Sequence, residues 1–414
     1  MQKCYKENIM KKCKILTLIT VLFLMLNVCK QTSPSIELDD FSFYTPSQEK
    51  TPFPLVAQRT VKNVILMIGD GMGFTQIVAT RTLVLGAQGR LTIERLPVTG
   101  VIDNYAADYF VSGSAATATS LATGYKTIEN MVSVLPDGTP AMTILEAARE
   151  KNLSTGLVAT STITHATPAA FAAHVTDRYS EVEIAGQLLE SRINVLLGGG
   201  RALFKSGISG YKYKRTDGRD LVEEARKADY AYVETKDELM QLRAENGHVL
   251  GLFSDGYLIN QGSEPTLAEM TDAALEILSQ NDKGFFLMVE GSQIDWAGED
   301  NDINYLIREQ LHFDLAIRSA IRFAMDDEET LVVVTADHET GGMFISVEPP
   351  NQLDGKIDIQ WGTDEHNGNV VPVFAYGPQA ERFMGWYDNT EIPKKIANIL
   401  GIPDFPQKMT SKLD

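Results

Sequence analysis

The sequence predicts an α/β fold: a doubly wound, mostly parallel central sheet with helices on both faces. Three observations carry that expectation. Apolar runs of strand length recur at residues 64–68 (VILMI), 285–289 (FFLMV) and 331–334 (LVVV). With no polar residue to mark a solvent side, such runs read as strands buried on both faces, as parallel sheets require. Between the runs lie segments with apolar residues at helical spacing, so strands alternate with helices. Finally, each run leads into carboxylate or imidazole groups: Asp70, then Glu290 and Asp295, then Asp337-His338. Open α/β sheets hold ligands beyond the carboxyl ends of their strands. Three such ends bearing carboxylates point to one polyvalent metal site at one edge of the sheet.

Taken in order, residues 1–28 read as an export signal, with Lys11, Lys12 and Lys14 before an apolar run at 15–28 that is short for a membrane span. Met10 is an alternative start. The stretch LNVC at 26–29 resembles a bacterial lipobox, which implies a lipid-modified Cys29 and a protein held in the periplasm or at the outer membrane. Simple secretion and an uncleaved anchor are the alternatives. All three cysteines (Cys4, Cys13, Cys29) fall in the first 29 residues, so the body carries no disulfide framework. Residues 29–59 are polar and proline-bearing and read as a tether, 60–402 as one catalytic domain, and 403–414 as a tail.

Within that domain, Gly71 and Gly73 let the chain turn from the first strand into a helix over 75–85. Residues 112–124 (SGSAATATSLATG) suit a closely packed helix that Gly124 ends, with Ser114 near its start beside free N–H groups and the positive end of the dipole. A helix over 142–150 and a strand over 155–159 follow, then HATP at 165–168 and HVTDR at 174–178. Helix 181–191, strand 195–197 and a triple-glycine turn make a further β/α unit. Residues 201–262 are more polar and insert-like, with a capping box at Thr235 and Glu238 and a strand at 249–253. Helices over 266–280 and 302–325, a last strand at 371–376 and a last helix at 392–400 complete the pattern.

The net charge of −18 argues against a nucleic-acid partner and steers anionic substrates away. An anionic substrate therefore needs a locally positive site, which bound metals would supply. Asp337 beside His338 suits zinc, and His366 lies on a polar loop where a structural histidine has no obvious task. His174 and His312, in apolar segments, read as core or helix-face residues, and His248 as a surface residue.

Together GDGMG, SAATATSLATG, HATPAA, HVTDR, VEGSQIDWAG and TADH, in this order, resemble the alkaline phosphatase family over about 62–400. The resemblance implies an exported phosphomonoesterase with two zinc ions and one magnesium ion that works through a phosphoserine. It implies Ser114 as nucleophile and Arg178 as the bidentate holder of the substrate phosphate. Asp70, Asp337 and His338 match the zinc that activates Ser114, with Asp70 bridging to magnesium; His165, Thr167 and Glu290 match the magnesium side. Asp295 and His366 match the second zinc, and Trp296 the substrate-facing position beside it. A homodimer and a small phosphate-ester substrate are the partners the family suggests. Two departures stand out. Gly113 replaces the aspartate that commonly braces the arginine, and Glu299 stands where a histidine ligand is usual, which puts the identity of one zinc in doubt. Glu299 either ligates that metal or points to solvent with water in its place. The alternatives to a monoesterase are an enzyme acting on diesters or sulfate esters, and a surface protein that binds metal or phosphate with little turnover.

Overall fold

The computed structural model describes residues 36–208, 214–259, 262–346 and 357–409. The expected signal segment and Cys29 lie outside them. Fourteen strands are found among the described residues: β1 Asn63–Gly69, β2 Val98–Asp103, β3 Ser154–Thr162, β4 Val195–Gly199, β5 Ala231–Val233, β6 Val249–Leu252, β7 Phe285–Gly291, β8 Thr330–Thr335, β9 Glu339–Thr340, β10 Phe344–Ser346, β11 Asp358–Gln360, β12 His366–Asn367, β13 Val371–Tyr376 and β14 Gly385–Asp388. Ten of them make one sheet in the order β14-β2-β13-β8-β1-β7-β3-β4-β6-β5. Only β13 runs antiparallel to its neighbours, β2 and β8. Every residue of β1, β7 and β8 is buried, so both faces of the sheet's centre are covered, as their unbroken apolar runs require.

Helices provide that cover. The longest, Ile303–Asp327, buries Leu306, Gln310, Phe313, Ile317, Ala320 and Ala324 at alternating steps of four and three, one stripe of a 3.6-residue period. Asp302 caps its start by accepting from the N–H groups of Asn304 and Tyr305. The helix Leu267–Leu278 lies against it and opens with a reciprocal capping box between Thr266 and Glu269. The capping box read at Thr235 and Glu238 likewise opens a helix, Lys236–Met240.

The structure adds to the sequence reading in three regions. From Asp40 onward the chain belongs to one compact unit, so the second half of the expected tether is docked. Tyr44 is buried and its hydroxyl donates to Asp314 at 2.7 Å, while the Arg95 guanidinium sits 4.1 Å over the Phe53 ring. Arg95 also donates to the Thr51 carbonyl and to Ser47, and Arg318 to the Thr45 carbonyl, so aromatic and polar contacts together hold this polar, aperiodic stretch. The polar, insert-like region 201–262 carries β5 and β6, which continue the sheet beyond β4. In the expected tail, Gln407 accepts from the Met142 N–H at 3.0 Å. Strands β2, β5 and β14 escape a reading of the sequence because they are short or lie near an edge, where apolar content is low.

The histidines assigned to packing do pack. His174 bonds through Nδ1 to the Ser133 carbonyl at 2.9 Å and through Nε2 to Glu146 at 3.0 Å. His312 stacks on Phe43 at 4.5 Å. His248, read as a surface residue, is half-buried against Tyr230. Among the described residues no helix is long and apolar enough to cross a membrane.

Candidate active site and metal centre

Strands β8, β1 and β7 are adjacent and parallel, with Ile68 opposite both Thr335 and Glu290. That register delivers Asp70, Asp337 and Glu290 to one edge. Gly71 makes the turn after Asp70 at φ +73°, and a Cβ there would lie 2.5 Å from the Asp295 backbone. Only glycine allows both that conformation and that approach.

Around this edge the structure brings together most residues expected from the sequence. His338, fully buried, has Nε2 3.3 Å from Asp70 Oδ1 and 3.3 Å from Asp337 Oδ2. Asp337 is fixed by the N–H groups of Gly71 and His338 and by the Thr117 hydroxyl. Ser114 is the first residue of the helix Ser114–Thr123, with extended Gly113 before it and left-handed Gly124 after it. Ser114 is almost fully buried, and its Oγ lies 3.3 Å from His338 Nε2. Beyond Asp70, the His165 ring, the Glu290 carboxylate and Asp70 form a second cluster whose donor atoms lie within 4.8 Å of one another.

An outer cluster joins Asp295, His338 and His366. Asp295 lies in the first turn of the helix Gln293–Glu299 and His366 on β12, which pairs with β9 through His366 and Thr340. The two imidazoles stack at 3.8 Å, and His366 Nε2 is 3.5 Å from Asp295 Oδ1. Glu299, one helical turn past Asp295, places Oε1 4.0 Å from His366 Nε2, with its side chain about half exposed. It faces the outer cluster from the solvent side without being drawn into it.

The protonation pattern is that of a site built for cations. Burial, then the charges of Asp337 and Asp295, raises the Asp70 carboxyl well above its usual range. Burial pushes Glu290 up to about 8. Burial lowers His338 to about 4, a neutral imidazole ready to ligate. Burial disfavours the charge on His366 too, but its hydrogen bond to Asp295 and that carboxylate's charge outweigh it and raise the ring to about 9. Both Asp70 oxygens, Glu290 Oε1, Thr167 Oγ1 and His165 Nδ1 are buried with no hydrogen-bond partner. Orphaned buried oxygens of like charge are costly unless a cation satisfies them. The donor sets fit: carboxylate with imidazole suits zinc, and the oxygen-rich Asp70, Glu290 and Thr167 suit magnesium.

Arg178 is half-buried, and its Nη2 lies 2.9 Å from His165 Nε2. A guanidinium only donates, so that nitrogen accepts. A neutral imidazole has a single lone pair, so His165 cannot serve Arg178 and a cation at once. Trp296 sits edge-on to His165 at 5.9 Å.

The sequence does not announce the residues that steady the outer cluster. Thr340 donates to Asp295 and its hydroxyl lies 3.2 Å from His338 Nδ1. Glu339, almost fully buried, accepts from Gln76, Asn367 and Asn369 and so ties β9 to β12, which carries His366. Both directly follow the ADH motif, which is the one signal that could have found them. Glu129 is likewise unannounced. It accepts from the Gly113 N–H at 3.3 Å, and its Oε1 lies 2.7 Å from where a Gly113 Cβ would stand. No short-range pattern joins positions 113 and 129.

Comparison with known proteins agrees with this geometry. The family model described as alkaline phosphatase matches residues 61–352 and 345–402. Alkaline phosphatase 3 of Bacillus subtilis (strain 168) is 37% identical, over 83% of this chain and 90% of its own length. The solved alkaline phosphatase of the Antarctic bacterium TAB5 is 36% identical, with a TM-score of 0.76, over 85% of this chain and 100% of its own. A histidine-to-aspartate mutant of the TAB5 enzyme, with Mg bound in the M3 site, superposes with a TM-score of 0.74 at 35% identity, over the same shares of the two chains. The chain belongs to the alkaline phosphatase family: it is a phosphoric monoester hydrolase, and its acidic and imidazole clusters suit the divalent metals such enzymes use.

Proposed function

We propose that this member of the alkaline phosphatase family cleaves phosphate monoesters through a phosphoserine on Ser114, at a site for two zinc ions and one magnesium ion. The observation that carries the reading is Ser114 Oγ at a helix start, 3.3 Å from the imidazole that the inner and outer clusters share. Asp70, Asp337 and His338 would hold the zinc beside Ser114. Asp295 and His366, with Glu299 at the rim, would hold the other, and Asp70, Glu290, Thr167 and His165 the magnesium. Bound there, the ions would lower the pKa of the serine hydroxyl and neutralise charge on the entering and leaving oxygens.

The remaining work falls to the chain itself. Ser114 Oγ, its proton passed to solvent, attacks phosphorus. The ester P–O bond breaks and the departing alcohol oxygen takes a proton from water. A water, losing a proton, then attacks the phosphoserine from the side the alcohol left, the P–Oγ bond breaks, Oγ takes up a proton to restore the serine, and inorganic phosphate departs. Charge on the equatorial oxygens is met by N–H groups at the start of the Ser114–Thr123 helix and by Arg178, once Arg178 leaves His165. Brief exposure to a labelled monoester should leave label on Ser114 after acid quenching. Label on Ser112, or turnover of bis-p-nitrophenyl phosphate or p-nitrophenyl sulfate exceeding that of p-nitrophenyl phosphate, would overturn this reading. Export with a lipid on Cys29 is part of the same proposal. It rests on the sequence of residues 11–29, and Cys29→Ser should move the protein into the soluble fraction.

A further inference from the structure

Beside the clusters lies a cleft of about 380 Å³ whose wall includes Arg178 and His165. Most of the rest is aromatic: Tyr179, Tyr257, Trp296 and Tyr305. Tyr179 and Tyr257 are among the large side chains this molecule leaves exposed, at 63% and 46%. Exposed rings gathered at the mouth of a reaction centre need a reason that scattered exposed rings do not. All of these rings but Tyr179 are braced by their own contacts. The Tyr257 and Trp296 rings meet at 68° with centroids 4.9 Å apart, and His165 meets Trp296 at 87°. Tyr305 donates its hydroxyl to Gln293 at 2.7 Å and carries the Arg308 guanidinium 5.1 Å from its ring. The buried carboxylate of the cleft, Glu181, is already engaged by the hydroxyls of Thr162 and Thr164. A ring-lined cavity whose buried carboxylate is already engaged, with a guanidinium at one end, is shaped for a ligand with one anionic end and one flat apolar end.

We propose that this cleft binds the alcohol portion of the ester and that it selects an aromatic ring, held between Tyr179, Tyr257 and Trp296 while Arg178 holds the phosphate. The inference rests on the reading of Arg178 as the phosphate holder. Ring contacts of this kind improve binding roughly tenfold over an alkyl group of similar reach. Because they are made wherever the ring is bound, they lower KM for ring-bearing esters more than they raise turnover.

The test compares 2-phenylethyl phosphate with butyl phosphate, two primary alcohols of similar leaving ability, on the full chain loaded with zinc and magnesium. Wild-type kcat/KM should favour the phenyl ester by about tenfold, and Tyr179→Ala combined with Tyr257→Ala should bring the ratio near unity. Both positions are exposed, so the double variant keeps its fold. In parallel, calorimetry should show 3-phenylpropylphosphonate binding more tightly than butylphosphonate in the wild type and equally in the variant. Equal handling of the two esters in the wild type, or a preference that survives the double substitution, overturns the proposal. If neither ester releases phosphate, the hydrolase reading itself fails, and the phosphonate comparison still decides what the cleft binds.

Discussion

The inner and outer halves of the metal centre are built by different means. Asp70, Glu290 and Asp337 sit at or just past the ends of three adjacent, wholly buried strands, so the hydrogen-bonded register of the sheet sets their spacing. The outer half depends on one turn of the helix Gln293–Glu299 and on the two-residue pairing of β9 with β12. Exposure follows a similar division, although Asp295 of the outer cluster is itself buried. Asp70, Glu290, Asp337 and His338 have no accessible surface, whereas the His366 side chain is 21% and that of Glu299 48% exposed. A ligand set held by a central sheet leaves little freedom, because moving one member moves a strand. A set held by a short helix and a short ladder can accept a changed residue at its rim, and that is where this chain carries its unusual glutamate.

The largest effect should come from the inner half. On the proposed mechanism, Ser114→Ala removes the attacking oxygen and leaves the clustered carboxylates and imidazoles in place. Turnover should fall by on the order of 10³ or more, with zinc and magnesium content by elemental analysis unchanged. Loss of metal together with activity would mean that Ser114 helps build the inner site. The two halves should also separate on metal removal. Under slow chelation the first metal ion lost should be the one at the outer cluster, and spectroscopy of a cobalt-substituted protein would show one class of ion leaving before the other. A single concerted loss would erase the distinction.

Glu299 sharpens the contrast. Burial and the neighbouring charge of Asp295 push its carboxyl up to about 7, and against the opposing effect of burial the hydrogen bond and charge of Asp295 raise His366 to about 9. Outer-site affinity should therefore fall as pH drops below about 9, where His366 must lose a proton to bind metal. It should fall more steeply below about 7 if Glu299 must lose one as well. Glu299→Gln, which has no proton to lose, should remove the steeper segment, and Glu299→His should strengthen outer zinc binding. An unchanged pH profile and zinc affinity would assign Glu299 to solvent.

A smaller effect is expected at Gly113. A carboxylate introduced there by Gly113→Asp would meet Glu129, so on its own it should do little for phosphate inhibition. Combined with Glu129→Gln, it should tighten inhibition by phosphate severalfold, read as a lower inhibition constant. Equal effects with and without Glu129→Gln would show that the two carboxyl groups do not share that space.

The smallest lies away from the metals, at His174 and Glu146. Burial opposes the charge on each, but their mutual hydrogen bond and attraction prevail, raising His174 and lowering Glu146. The stability due to His174 is fully present below its ordinary 6.5 and is lost as pH rises through its raised value. That due to Glu146 is present above its ordinary 4.5 and is lost as pH falls through its lowered value. His174→Gln should therefore cost most in melting temperature between about pH 4.5 and 6.5, and less in the alkaline range. A cost independent of pH would reduce the pair to neutral hydrogen bonds.

Much of the inner half is legible in the order of residues alone. Its ligands sit where apolar runs stop, and the strand-end rule turns three separate chain positions into one place. The docked segment from Asp40 is not legible in that way, because Tyr44 meets Asp314 across some 270 residues and nothing local announces that contact. Edge strands such as β14 carry too few apolar residues to declare themselves.

By itself, then, the sequence determined the alternation of strands and helices, the chemistry at the ends of β1, β7 and β8, and the helix that presents Ser114. These follow from local periodicity and from residue types adjacent in the chain. Only the tertiary structure decided that Glu129 lies against Gly113, that Glu339 and Thr340 steady the outer ligands, and that four aromatic side chains from separate segments close one cleft beside Arg178. Those arrangements are side-chain contacts between distant segments, and their geometry is set by how the sheet and its covering helices pack, which no window of neighbouring residues encodes.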